Sequence, residues 1–187
     1  MNVTTKDKIF QTFLEILNEK PFDKITVRDI VERCNINRNT FYYYYSDIYE
    51  LLEELFKMEF SEMVSKYNSG FRWLVGFSRM IETCYGNKRI INNICASKSY
   101  EYLETYLFKS CREIMADYVF EIAADKNISR DNLEFIISYH QYGVIGIISE
   151  WFRTGMREEP QQIIKQFLIV FEGLLPAIET AEKRAKK

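Results

Sequence analysis

The sequence predicts an all-α protein: a three-helix head on a larger helical bundle, about nine helices in all. Three observations carry this. Apolar residues recur at intervals of three and four over most of the chain, and strand-like alternation is nowhere sustained. Only seven glycines and three prolines interrupt the 187 residues. A hydrophobic content of 47% with 16% aromatics supplies a core and excludes a disordered chain. The length suits one well-cored domain or two small ones.

The first helix is expected from about Thr5 to Asn18, where Ile9, Phe10, Phe13, Leu14 and Leu17 share a face. Pro21 breaks it, and Phe22 and Ile25 are placed to pack beneath the next two helices. Thr26 with Asp29 three residues later is a capping-box pattern ahead of Val27, Ile30 and Val31, and this helix should stop near Cys34. Asn35 tolerates a left-handed backbone and makes the turn, with Ile36 plugging the angle. Asn37 then caps a second helix whose exposed first turn is Arg38, Asn39 and Thr40. Hydrogen-bond donors are thereby gathered at one tip.

A helix, a turn of three or four residues and a helix with a polar first turn is the arrangement that seats a short helix in the major groove. Tyr42, Tyr43, Tyr44 and Tyr45 cannot all be buried on so short a helix, and exposed phenols donate well to phosphate oxygens. Arg28, Arg38 and Asn39 stand on the exposed turns as candidate base readers, since arginine pairs with guanine and asparagine with adenine. Lys24, Thr26, Thr40, Tyr42 and Tyr43 are candidate phosphate contacts, and Asn37 completes the candidate DNA-binding set.

Ser46 and Asp47 cap a fourth helix running to about Tyr67, ended by Asn68, Ser69 and Gly70. This divides the chain into a DNA-binding head, residues 1–46, and a helical ligand-binding and dimerisation domain, residues 47–187, inside one continuous body. Helices over 71–85, 89–96 and 99–125 come next, separated at Gly86 and Asn87. The aromatics of this middle region fill a bundle core, or line a cavity for a small apolar or aromatic ligand; Trp73, Phe77, Tyr102, Tyr106, Tyr118 and Tyr139 are the candidates for the second role. After a turn at 127–130 comes a helix over 131–154, apolar almost all round at 142–148, with Gly143 and Gly146 permitting close helix approach. Pro160 starts a last helix over 160–181. Tyr142, Ile145, Gly146, Trp151, Phe167 and Phe171 are expected as apolar surface, which two-fold pairing of the last two helices would hide in a homodimer.

Composition also excludes function classes. A net charge of −2 argues against a protein that coats nucleic acid indiscriminately, yet residues 24–46 carry Lys24, Arg28, Arg33 and Arg38 against Asp29 and Glu32, four cations to two anions. No run of about eighteen apolar residues occurs, so no membrane span is expected. Cys34, Cys84, Cys95 and Cys111 lack any Cys-x-x-Cys pairing and read as reduced core cysteines of a cytoplasmic protein. One histidine, His140, no nucleophile elbow and no phosphate loop leave no catalytic set, no metal site and no implied cofactor.

Residues 8 to 56, with TVRDIVERCNINRNTFYYYYS at their centre, resemble the DNA-binding domain of TetR-type transcriptional regulators. Thr26, Val27, Asp29, Ile30, Thr40, Phe41, Tyr42 and Leu51 fall in the family's register without a gap, and Tyr42 matches its near-constant tyrosine. Cys34 and Asn35 replace the usual Ala-Gly, and Ile48 stands where many members carry a phosphate-touching lysine, a contact left to Lys24 or Tyr43. The segment GVIGIISEWFRTGMREEP is similar to the C-terminal region of one TetR-type subgroup. The resemblance implies a homodimeric regulator, most often a repressor, on a palindromic double-stranded DNA operator, released by a small molecule in its body. The rival reading is a helical adaptor or ligand carrier that keeps the head without binding DNA.

Overall fold

The computed structural model describes residues 4–67, 72–98 and 100–185, and their side chains except at 59–67, 72, 73, 175 and 185. Local capping sets the first boundaries. Helix α1 (Thr5–Glu19) opens on Thr4, whose hydroxyl accepts the Asp7 N–H while the Asp7 carboxylate accepts the Thr4 N–H. A short 3-10 turn, Phe22–Lys24, leads to α2 (Val27–Cys34), which Thr26 and Asp29 cap in the same reciprocal way. Asn35 takes a left-handed φ of 53°, as the turn required, and α3 (Arg38–Tyr44) begins at Asn37. The Lys8 ammonium donates to the Cys34 carbonyl at 2.7 Å, tying α1 to the end of α2. Phe13, Phe22, Ile30, Phe41 and Tyr45 close the small core of this head.

Helix α4 (Ile48–Tyr67) starts on Asp47, whose carboxylate accepts the N–H groups of Tyr49 and Glu50 at 2.8 and 3.1 Å. The expected stop at Asn68, Ser69 and Gly70 lies outside the described residues. The body continues with α5 (Arg72–Gly86), α6 (Lys88–Cys95), α7 (Tyr100–Ile122), α8 (Arg130–Arg153), α9 (Pro160–Glu172) and α10 (Leu174–Ala185). The fold among the described residues is all helical, as the periodicity requires. One boundary differs: the helix expected over 160–181 is interrupted at Gly173. Pro176 explains this, because it has no N–H to donate to the Glu172 carbonyl and its ring collides there; it is tolerated only in the first turn of a new helix.

α7 and α8 pack along their length at the centre of the body, α4 lies against α5 and α7, and α5 packs on α9 through Phe77 and Phe167, whose rings meet edge to face at 4.9 Å. α6 returns to the head, where the Asn93 amide donates to the Leu17 carbonyl of α1 at 2.9 Å. Head and body are thus joined twice, by the continuous chain at α4 and by α6 on α1. No described helix is long and apolar enough to cross a membrane.

Candidate nucleic-acid interface

The tip of the head is built from two helix starts and the 3-10 turn. Thr26 and Asn37 both spend their side chains on capping. The Thr26 hydroxyl accepts the Asp29 N–H at 3.2 Å and donates to the Asp29 carboxylate at 2.7 Å. The Asn37 carbonyl oxygen accepts both the N–H and the hydroxyl of Thr40, at 2.8 and 3.1 Å. The hydroxyls of Thr26 and Thr40, expected to face phosphates, are therefore already donating within the head, and Asn37 retains only its amide NH₂ for a ligand. The Thr26 hydroxyl, then Lys20, holds the Asp29 carboxyl down at about 2.

The cations of this region divide into two groups. Arg33 grips Glu19 of α1 with two N–H donors at 2.8 and 2.7 Å, and Lys20 pairs with Asp29 at 2.9 Å. Arg28, a candidate base reader, donates to Glu32 one turn on at 2.6 Å in full solvent, so reaching a base requires giving up only a solvent-screened surface pair. Lys24 and Arg38 are exposed and have no acidic partner among the described residues. The local excess of positive charge therefore resides on those two side chains.

The four tyrosines separate by face. Tyr43 is 80% exposed and Tyr42 is also exposed, Tyr44 is half-buried, and Tyr45 lies inside the head. Lys6 of α1 lies over the Tyr45 ring at 5.4 Å and pairs with Glu54 of α4 at 2.9 Å, locking the exit of α3 to the next helix. Asn39 is exposed beside Arg38. Ile48, where a lysine was the expected residue, is half-buried and packs on the core, so the site lacks that cation and gains apolar contact instead.

In the body the expected groupings are corrected. Ile145, Trp151, Phe167 and Phe171 were placed on an outer apolar surface but are interior to a single chain. Trp151 is 2% exposed, stacks with Tyr85 and donates its indole N–H to the Glu158 carbonyl at 3.0 Å. Phe171 meets Tyr118 and His140. Tyr142 and Gly146 do lie outside, on an exposed stripe with Phe135, Tyr139, Gly143 and Ile147. That stripe follows helical spacing and was legible as such, but the opposite face of α8 is equally apolar, and only packing shows which one is covered. Ile169 and Val170 of α9 are also exposed.

The five candidate pocket aromatics among the described side chains do not converge. Phe77 and Tyr118 are core, Tyr139 faces out, and Tyr102 and Tyr106 pack against Tyr49 and Phe56 of α4. The side chain of Trp73 lies outside the described residues. His140 is half-buried between Tyr139 and Phe171, and burial pushes its imidazole pKa down.

Two crossed helices of which the second presents a polar, cationic first turn, mounted on a helical body, define a helix-turn-helix protein. The chain belongs to the TetR family of bacterial transcriptional regulators: residues 9–55 match the family's "Bacterial regulatory proteins, tetR family" profile, and residues 72–173, more than half of the chain, match its "Transcriptional regulator C-terminal region" profile. Among curated proteins it is 28% identical over 72 residues to the HTH-type dhaKLM operon transcriptional activator DhaS of Lactococcus lactis subsp. lactis, a match spanning 38% of each chain. Two solved structures share the fold. One, described as the dihydroxyacetone kinase operon activator DhaS, has a TM-score of 0.74 at 20% identity, over 97% of this chain and 99% of its own. The other, a TetR transcriptional regulator from Streptococcus agalactiae, has a TM-score of 0.63 at 21% identity, over 89% of this chain and 92% of its own.

Proposed function

We propose that the protein binds a palindromic double-stranded DNA operator as a homodimer, with residues 1–46 as the reading head and residues 47–187 as the dimerising and effector-sensing body. The observation that carries the reading is the tip of α3: Arg38 free of any described acidic partner, Asn39 beside it and Tyr43 almost wholly exposed, all on the helix that the fold class presents to a major groove. Arg38 and Asn39 read base edges, with Arg28 joining them once it leaves Glu32. Lys24, Tyr42 and Tyr43 meet phosphates, while Thr26, Asn37 and Thr40 hold the two helix starts in position through their capping hydrogen bonds.

Dimerisation is supported by the exposed α8 stripe, where Tyr142 is 65% exposed in the single chain, and by exposed Ile169 and Val170 on α9. Two heads then reach successive major grooves if they stand about 34 Å apart. Repression needs no more than this, since an occupied operator excludes polymerase. Activation is the second reading, favoured by the curated relative that is named an activator. The test is a gel shift on the DNA flanking the protein's own coding region, with light scattering on the free protein, followed by transcription in vitro from the bound fragment. Specific retardation by a dimer supports the proposal, and the transcript level decides its sign. A protein that retards this DNA no better than unrelated DNA of the same length refutes it.

A further inference from the structure

Helix α6 has only eight residues, and a side chain from each of its ends holds a main-chain carbonyl of a different part of the molecule. In its last turn the Asn93 amide donates to the Leu17 carbonyl at 2.9 Å, near the end of α1. The last carbonyls of a helix have no partner within it, and the Lys20 N–H takes that of Ile16; Leu17 is closed to solvent, so Asn93 supplies the partner its carbonyl needs. At the first residue of α6 the Lys88 ammonium donates to the Met156 carbonyl at 2.7 Å, in the turn between α8 and α9. Gly155 and Met156 of that turn both take left-handed backbones, with φ of 76° and 51°. Met156 is buried, and a non-glycine residue keeps that conformation only where its surroundings hold it. Tyr85, near the end of α5, holds the same turn by stacking on Trp151 and donating its hydroxyl at 2.8 Å to Glu159, which precedes α9.

We propose that α6 is a strut that sets the spacing and angle of the two heads in the dimer, with Asn93 and Lys88 as positioning residues that select operators by half-site separation without touching DNA. This role rests on the operator-binding dimer proposed above. The turn that Lys88 holds joins α8 to α9, the two helices that carry the exposed apolar residues assigned to pairing. The helix that Asn93 holds is α1, which itself grips α2: Lys8 donates to the Cys34 carbonyl, and Glu19 accepts two N–H groups from Arg33. One short helix thus links the pairing surface to the frame of the reading head.

Geometry explains why a second attachment matters. A head joined to the body only through α4 is free to swivel about that junction, and α6 on α1 removes the freedom. Lys88 and Asn93 are five residues apart, about 7.5 Å along the helix and about 140° around it, so their two hydrogen bonds leave α6 in different directions and hold it between head and body. DNA reads small errors in that placement. One base pair of spacer moves the second half-site by about 3.4 Å and turns it by about 34°, so a swivelling head accepts several spacers where a braced one accepts a single spacer.

The experiment uses the full chain and operator DNA in which both half-sites are constant and the spacer is shortened or lengthened by up to two base pairs. Wild type prefers one spacer. In Asn93→Ala the affinity ratio between the preferred spacer and one altered by two base pairs falls about fivefold, the scale of one hydrogen bond, while the selected half-site motif and the dimer seen by light scattering are unchanged. Lys88→Met has the same effect, and Lys88→Arg, which can still donate to the Met156 carbonyl, restores the preference. A merely structural role lowers the melting temperature and weakens every spacer by one factor; an unchanged ratio in both variants overturns the strut. If circular dichroism shows that Asn93→Ala loses helix, the Lys88 pair decides. A second reading needs no DNA: nitroxides carried on a ketone-bearing amino acid in place of Tyr43 report the head-to-head distance in the free dimer by dipolar spectroscopy. The distribution is narrow in otherwise wild-type protein and broadens in Asn93→Ala and Lys88→Met. A distribution that is already broad, or that neither variant changes, overturns the strut. A narrow distribution in a protein that binds no DNA specifically refutes the operator reading and not the strut, so the two failures are told apart.

Discussion

Gly146 stands on the exposed stripe of α8, and a Cβ built there meets nothing within 4 Å of its own chain. Gly146→Leu therefore starts from a position with open space at Cβ in the single chain. It replaces a helix-interior glycine with a good helix former, a gain of about 0.8 kcal/mol in propensity. In the proposed two-fold pairing the same side chain enters a helix crossing, where overpacking costs about 1–3 kcal/mol. Symmetry applies the cost at two positions, so the dimer weakens by about 2–6 kcal/mol, and even the lower bound raises its dissociation constant about thirtyfold. The assay is light scattering over a concentration series, with circular dichroism to verify that helix content is retained and a gel shift to read operator affinity. The expected result is a folded chain that dissociates at concentrations where wild type is dimeric and binds its operator more weakly, since one head contacts half the site. A variant that stays dimeric with unchanged operator binding refutes the placement of Gly146 at the interface. A wild-type protein that is monomeric at micromolar concentration refutes the dimer itself.

Arg38→Ala should remove about 1–3 kcal/mol of discrimination at one base pair per half-site; binding-site selection returning the wild-type motif would show that Arg38 reads no base. Lys24→Ala should lower operator affinity and non-specific affinity together, and reduce the slope of log affinity against log salt by about 0.9 per head. An unchanged slope means Lys24 touches no phosphate. Thr26→Ala loses the acceptor of the Asp29 N–H and should cost about 1 kcal/mol in urea unfolding. NMR titration should then find the Asp29 carboxyl, held at about 2 in the native head, moved back toward its ordinary value of 3.8. Because that pKa is depressed in the fold, the stability it contributes is present above pH 3.8 and lost as pH falls toward 2. His140 is also shifted down, from an ordinary 6.5, so the fold favours its neutral form: its contribution is complete above pH 6.5 and declines as pH falls below it. Melting temperatures measured from pH 7.5 to 5.5 should fall less for His140→Gln than for wild type; parallel curves would show that this imidazole is not responsible.

The head was legible in the sequence almost residue by residue. Its determinants act within three or four positions: Thr26 with Asp29, Asn37 with Thr40, Asp47 with Tyr49 and Glu50, and the left-handed Asn35 between them. Such hydrogen bonds are written in consecutive residues, and so were the exposure of Tyr43 and the surplus of cations. The body was legible only as helices. On α8, where Phe135, Tyr142 and Ile147 stand opposite Ile137, Val144 and Ile148, both faces are apolar, and periodicity cannot tell the inward from the outward one. Tertiary structure chose, placing Trp151 and Phe171 inside and leaving Tyr142 and Gly146 out. It also paired Arg33 with Glu19, fourteen residues away, and turned Tyr102 and Tyr106 onto α4 rather than into a common pocket. The physical reason is range. A cap or turn is satisfied by its sequence neighbours, whereas the partner of an apolar face or a charged side chain is decided by which distant helix the packed chain brings against it.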